Sequence, residues 1–491
     1  MNDRRLLRGL ALAYWTAYVL ALVYFASRAT IDYYDAFEYL RNARTLAGRY
    51  IGYSTYRPPL LPLLHAPMQW LFDRAGAGMS TRLLAPHLLH ALLSLGCLAA
   101  FYAVLRRSFS AGWAQIGTIL LSLDRVMIHY SFFAMTDVPC ALLLLLTLRY
   151  AARPREGRAA SAAAVAVLSA LLLCRWNMLV IPAGLVAWSL LRDRGGARRV
   201  AAVSAAALAV FAVVNIAIFR YVNQSTLGEA WRFLGEVLSQ GGGSQFDAGM
   251  PRGSVWSYAV FTAVGPGLVA VGLALLGLAA PAEARLEEAV FHAALFVGFA
   301  AVMSAVSHKE ARFLIPALPA LYFTALRGLQ ALESWGRRAV SPAAGAALAS
   351  AVLVGAFARG TAEWLRFRDP VYRSPILLET ARTVERLAPA GGRLLWSGTA
   401  FTMLPREGDF AADDPMFYAY HVPSLASLEY LLGRLFPKVS GPSDFRDGDL
   451  VVAAPARVGL PSKPLTSEER RLDILAVEGT SLRPIAGLRP R

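Results

Sequence analysis

The chain has 491 residues, 56% hydrophobic and 17% charged, with a formal net charge of +16, a mean hydropathy of +0.45 and a pI near 10.1. Soluble domains carry less apolar and more charged sequence, so these values exclude a soluble globular protein and mark an integral membrane protein. The positive charge is almost all arginine, in short clusters between apolar stretches rather than on a basic surface interleaved with aromatics, which argues against nucleic acid as a partner.

In chain order, a charged head at Met1 to Arg8 leads into apolar residues up to about Ala26. That run is longer than a cleaved signal core and predicts a retained first span. With about 20 apolar residues as the ruler for a crossing helix, spans are expected near 7–26, 81–105, 111–124, 138–152, 160–175, 177–191, 200–219, 256–280, 289–306, 312–328 and 339–358. Eleven is odd, so the termini lie on opposite sides. With the N-terminus inside, the inner loops collect Arg4, Arg5 and Arg8; Arg106 and Arg107; Arg149, Arg153, Arg155 and Arg158; Arg192, Arg194, Arg198 and Arg199; Arg285; and Arg327, Arg337 and Arg338. Cytoplasmic loops carry this excess, which sets the N-terminus in the cytoplasm. The three cysteines, Cys97, Cys140 and Cys174, fall inside apolar stretches and read as small core residues, without a disulfide frame or zinc site.

The outer face then receives 27–80, 124–138, 220–255, the turn at 307–311 and everything after about 360. In the first of these, Asp35 and Glu38 share a helix face by their i, i+3 spacing, while Tyr39, Ala43, Leu46 and Ala47 form a stripe able to lie on the membrane surface, leaving the carboxylates toward water. Tyr56-Arg57-Pro58-Pro59 follows, where the prolines break the helix and hold Arg57 at the bilayer boundary. In the second outer loop Asp124 is expected to pair with Arg125 or a neighbouring charge. Thr136-Asp137 before Pro139 is a helix-start signal, so Asp137 reads as a cap or as a group that orients a substrate or holds a metal. The segment 220–255, with Gly241-Gly242-Gly243 in its middle, reads as a mobile cover or a plain connector.

Ser307-His308-Lys309-Glu310-Ala311-Arg312-Phe313 sets three basic groups and a carboxylate where an apolar stretch begins, and Lys309 is the only lysine before Lys438. Charge at a bilayer boundary is costly unless paired, hydrated or bound to a charged substrate. A lysine and an arginine three apart at a helix start form an anion cradle suited to phosphate, unless Glu310 neutralises Lys309 and the group only anchors the helix end. From about 370 the composition becomes that of a small α/β unit: helix at 376–388, strand at 393–397, helix near 424–435, strand at 449–454 and a last strand near 473–478. The expected organisation is a membrane domain over 1–360 and a periplasmic α/β domain over 361–491, the latter for stability or acceptor recognition.

Asp35 with Arg57-Pro58-Pro59-Leu60, followed far along by His308-Lys309-Glu310-x-Arg312-Phe313, resembles the GT-C superfamily of membrane glycosyltransferases, in particular the bacterial arabinosyl- and mannosyltransferase branch and the dolichyl-phosphate-mannose-dependent mannosyltransferases. The resemblance implies an α-helical polytopic GT-C-like fold and an inverting transfer of sugar from a polyprenyl- or dolichyl-phosphate donor to a lipid, glycan or protein acceptor. It implies Asp35 as base, Lys309 and Arg312 at the departing phosphate with Arg57 and His308 as helpers, and Glu38, Asp137 and Glu310 orienting sugar hydroxyls or cations. Asp35-Ala36 stands where relatives carry Asp-Glu, which keeps Asp32 beside Asp35 as a candidate base. One acidic residue in the second loop, where some relatives have two, leaves no metal ligand set assigned and a divalent cation open. The setting implied is a bacterial inner membrane with the site on the periplasmic face. The rival readings are a transporter or flippase for a lipid-linked anion, which would carry charge deep in its spans, and a noncatalytic assembly subunit.

Overall fold

The structure, a computed structural model, describes residues 2–30, 32, 34–55, 57–150, 158–192, 194–240, 256–280, 286–305, 310–368, 376–388, 393–397, 425–436, 449–453, 472–478 and 481–488. Its helices are α1 (Asn2–Arg28), α2 (Tyr34–Leu46), α3 (Leu60–Arg74), α4 (Met79–Leu105), α5 (Ala111–Ser122), α6 (Arg125–His129), α7 (Asp137–Tyr150), α8 (Arg158–Cys174), α9 (Val180–Arg192), α10 (Arg194–Asn223), α11 (Leu227–Gln240), α12 (Ser257–Thr262), α13 (Leu268–Ala279), α14 (Leu286–Ala305), α15 (Leu318–Ala339), α16 (Pro342–Arg366), α17 (Ile376–Leu387) and α18 (Leu425–Leu432). Each segment expected to cross the membrane is mostly helical over its described residues, though 339–358 straddles the turn between α15 and α16. Among those residues, five helices are long and apolar enough to span: Gly9–Arg28, Met79–Leu105, Gly196–Asn223, Leu286–Ser304 and Pro342–Arg366. Ala159–Cys174, Trp176–Arg192 and Leu268–Ala279 are shorter apolar helices.

Leu12, Leu20, Leu92, Val213, Leu268, Val297 and Val354 are all well exposed on these helices. In water such apolar exposure is an aggregation liability; on spanning helices it is the lipid-facing surface. Small residues set the closest helix contacts. A Cβ added to Gly328 on α15 would lie 1.7 Å from the carbonyl oxygen of Leu273 on α13, and one on Gly277 would lie 2.3 Å from that of Thr324. Without a solvophobic drive between helices in lipid, such backbone approach is what holds them together. Gly328→Ala is therefore expected to destabilise the protein by about 1–3 kcal/mol or more through overpacking. Thermal unfolding in detergent measures this, and an unchanged transition would contradict it. The α15–α16 turn is equally tight: Ser341 caps α16 by accepting from the Ala344 backbone N–H at 3.1 Å.

Several expectations are corrected. The stripe on α2 does not lie open on the membrane: Tyr39 and Ala43 are buried, with the Arg57 guanidinium over the Tyr39 ring. The prolines at 58 and 59 break no helix: α2 has already ended at Leu46, and they lead into α3 at Leu60. Within 220–255, residues 227–240 form α11, whose Ala230, Leu234 and Val237 are buried; Gly241 to Gly243 lie outside the described residues. Arg312 sits in a 3-10 run, Ala311–Ala317, before α15 begins at Leu318, so it is not at an α-helix N-terminus. The boundary expected at 360/361 falls inside α16.

Beyond α16, β1 (Leu394–Ser397), β2 (Leu450–Ala453), β3 (Leu472–Glu478) and β4 (Ser481–Leu488) form one sheet in that order. The β1–β2 pair is parallel, with Trp396 opposite Val452, and the next two pairs are antiparallel. The fourth strand was not expected from sequence because Pro484 and Gly487 interrupt its pattern; both are tolerated on the outermost strand of a sheet.

Candidate active site

The first functional group is set by α2. Asp35 lies in the first turn and Glu38 one turn on, and both face Arg57 rather than water: Arg57 donates from Nη2 to Asp35 Oδ1 at 2.5 Å and from Nε to Glu38 Oε2. The loop that carries Arg57 is stitched to α2. The Ser54 backbone N–H donates to Asn42 Oδ1 at 2.7 Å, and Asn42 Nδ2 donates back to the Ser54 carbonyl at 2.8 Å. The Thr45 hydroxyl donates to the Gly52 carbonyl at 2.8 Å. Pro58 and Pro59 then turn the chain into α3, leaving the guanidinium over the Tyr39 ring at 5.8 Å.

Arg312, 277 residues from Asp35, donates from Nη2 to Asp35 Oδ2 at 2.7 Å. It also pairs through Nε with Glu310, and Nη2 reaches Glu310 Oε1 at 2.9 Å. Arg312 Nη1 stands 3.9 Å from Asp137 Oδ2 at the start of α7, an oxygen that has no hydrogen-bond partner among the described residues. The other Asp137 oxygen is taken by Arg175. Arg175 and Arg312 both stack on Phe313, at 4.4 and 5.3 Å from its centroid. The result is one ion network of four carboxylates and three guanidiniums, in which Asp35 is the most exposed carboxylate, at 20% of its side chain.

Burial alone would push the Asp35 carboxyl up, but the Arg57 and Arg312 guanidiniums outweigh it and hold the group below the usual carboxylate range. The sign follows: a depressed folded pKa gives stability that is complete above the unfolded value near about 4 and lost as pH falls through the folded one. The melting temperature of wild type is thus expected to exceed that of Asp35→Asn near neutrality, the gap closing on acidification below about pH 4. Melting curves across that range test this, and a gap that widens with acid would contradict it.

The structure therefore brings together Asp35, Glu38, Arg57, Asp137, Glu310 and Arg312. His308 and Lys309 lie outside the described residues. Asp32 is elsewhere: its Oδ2 lies 3.1 Å from His87 Nε2 and accepts from the Ala134 backbone N–H at 3.2 Å. Asp124, expected beside Arg125, caps α6 by accepting from the Val126 and Met127 backbone N–H groups and takes the Tyr322 hydroxyl at 2.9 Å, while Arg125 donates to Glu363 at 3.1 Å. Arg175 escaped the reading of the sequence. Its signal was present: a single arginine between two apolar stretches. Among the described residues, no group of three or more His, Cys, Asp or Glu side chains is placed to hold a metal ion.

Comparison with solved structures gives ArnT from Cupriavidus metallidurans in the apo state, with a TM-score of 0.65 at 14% identity over 91% of this chain and 93% of that one. The same protein bound to undecaprenyl phosphate gives 0.63 at 16% identity, with the same coverage. At such identity the likeness is one of fold. No curated protein sequence matches significantly. The family model of the Alg9-like mannosyltransferases matches residues 50–359. The chain belongs to the Alg9-like mannosyltransferase family, and with it to the GT-C glycosyltransferases.

Proposed function

We propose that the enzyme moves a sugar from a polyprenyl-phosphate donor to a hydroxyl of a lipid, glycan or protein acceptor at the outer face of a bacterial inner membrane, with inversion. The observation that carries this reading is the meeting of Asp35 with Arg57 and Arg312: a carboxylate and two cations from distant parts of the chain share one partly open site. The ArnT structure bound to undecaprenyl phosphate, which has this fold, supports the choice of donor class.

In the proposed step the acceptor oxygen attacks the anomeric carbon from the face opposite the phosphate and its proton passes to Asp35. The carbon–oxygen bond to the phosphate breaks, and its electrons leave on the phosphate oxygen. Positioned bases contribute about 10²–10⁴ in rate. The leaving phosphate gains charge as it departs, and cations fixed in advance stabilise it in a site of low dielectric. Arg57 and Arg312 take that role, with His308 and Lys309, which precede Glu310 in sequence, while Glu38, Asp137 and Glu310 orient the arginines and the sugar hydroxyls. In the absence of donor the carboxylates neutralise the arginines that a phosphate would claim.

Asp137 opens α7, Arg175 follows α8 and Arg312 precedes α15, all at one end of their helices, which supports surface chemistry over a pathway through the bilayer. The finer topology belongs to this proposal: eleven crossings, a cytoplasmic N-terminus, and a periplasmic α/β domain after the last span. The test is transfer by the purified enzyme in proteoliposomes given polyprenyl-phosphate sugars, mannose first. Release of free polyprenyl phosphate coupled to glycosylated acceptor is expected; transfer only from a nucleotide sugar would overturn the proposal.

A further inference from the structure

The ion network does not end at Glu38. Arg41, one turn further along α2, stands with Nη2 3.9 Å from Glu38 Oε1, and its Nη1 donates at 2.6 Å to Oε2 of Glu429 on α18, 388 residues away in sequence. Glu429 is buried, and its second oxygen accepts from the Phe436 backbone N–H at 3.2 Å. Charges therefore alternate without a break from Glu429 through Arg41, Glu38 and Arg57 to Asp35. Both ends of this chain of contacts lie outside the residues matched by the family model.

The placement of α18 is firm for reasons that can be named. The end of α18 is built as a cation site: Arg44 donates to the Tyr430 carbonyl, and Arg49 Nε donates to that of Gly433 at 2.9 Å. Cations at a helix C-terminus satisfy its orphan carbonyls and its dipole. Gly433 has φ of +64°, and a Cβ there would lie 2.4 Å from the Arg44 guanidinium. The Tyr430 hydroxyl donates to the Arg82 carbonyl at 2.7 Å and accepts from Gln69 Nε2 at 3.1 Å. The helix is thereby tied to α2, α3 and α4 at once.

We infer that Glu429 is a positioning residue for the transfer reaction: by holding Arg41 it leaves Glu38 to Arg57, and so fixes the guanidinium that meets the donor phosphate. The assignment rests on the function proposed above. Arg41 has two carboxylate partners among the described ion pairs, Glu429 and Glu38, and its Nε is already buried without a hydrogen bond. A buried guanidinium stripped of its counter-charge is costly. Without Glu429, Arg41 turns to Glu38 and competes with Arg57 for it, and Arg57 loses one of the two carboxylates that aim it.

Steady-state kinetics in proteoliposomes with a polyprenyl-phosphate sugar donor test this on three variants, with thermal unfolding measured in parallel. Glu429→Gln is expected to raise the donor KM by about tenfold while the acceptor KM stays near wild type. Tyr430→Phe, which loosens the same helix without touching the charges, is expected to lower the melting temperature and leave the donor KM unchanged. The double variant Arg41→Met with Glu429→Leu removes the competitor along with its partner and is expected to restore the donor KM. Should Glu429→Gln lower stability alone, or the double variant keep the raised KM, Glu429 is only structural and the assignment fails. Wild-type enzyme inactive with every polyprenyl-phosphate donor would instead defeat the functional reading beneath it, and the assignment with it.

Discussion

Asp35→Asn is expected to lower kcat by about 10²–10⁴-fold, the usual contribution of a positioned base, without weakening donor binding. The substitution keeps side-chain volume and removes the proton acceptor. It also turns the carboxylate that holds Arg57 at 2.5 Å and Arg312 at 2.7 Å into a neutral amide whose oxygen can still accept from both. The guanidiniums thus stay aimed while a donor phosphate meets less competition for their charge, and the donor KM is expected to stay level or fall. A simple loss of binding energy would instead raise KM with kcat preserved. The same assay separates the two aspartates that the sequence left open. Asp32 is buried, against His87 and the Ala134 backbone, so Asp32→Asn is expected to cost stability while folded protein keeps most of its kcat. Full transfer by Asp35→Asn, or abolished transfer by a well-folded Asp32→Asn, would move the base to Asp32.

Arg312→Met is expected to have the larger effect on the protein as a whole. Arg312 touches Asp35 and Glu310 and stands 3.9 Å from Asp137, and it is buried. Removing one member of a buried ion group leaves the others uncompensated, at about 3–5 kcal/mol. Arg312→Lys is expected to recover only part of this, because a single ammonium cannot reproduce a planar fork that reaches several carboxylates at once. Chemical unfolding in detergent measures the stability loss, and donor titration of the folded fraction measures the catalytic one. A stable Arg312→Met enzyme with wild-type donor affinity would remove Arg312 from phosphate recognition and leave Arg57 with His308 and Lys309 to supply it.

The two sets of residues differ in how visible they were. Arg57 and Arg312 stood out because each is a charge at the edge of an apolar stretch with a marked local context, Pro58-Pro59 beside the first and His308-Lys309-Glu310 before the second. Arg175 obeys the same rule and was passed over for want of any neighbouring charge in sequence; its partner Asp137 is 38 residues earlier. The stripe on α2 misled because amphipathic spacing reports that a face is apolar and not what covers it. Here that face is buried inside the protein at Tyr39 and Ala43 instead of lying in lipid.

What the sequence determines by itself is everything that local composition decides. Helices suited to a membrane, their order and three of the four described strands of the last segment follow from sums of apolar and charged residues over short windows, because transfer free energies add along the chain. The tertiary structure alone decided which charges face one another. The Asp35–Arg312 contact spans 277 residues and Arg41–Glu429 spans 388. Ion pairs so distant impose no period and no spacing, only a shared position in space once the helices have packed.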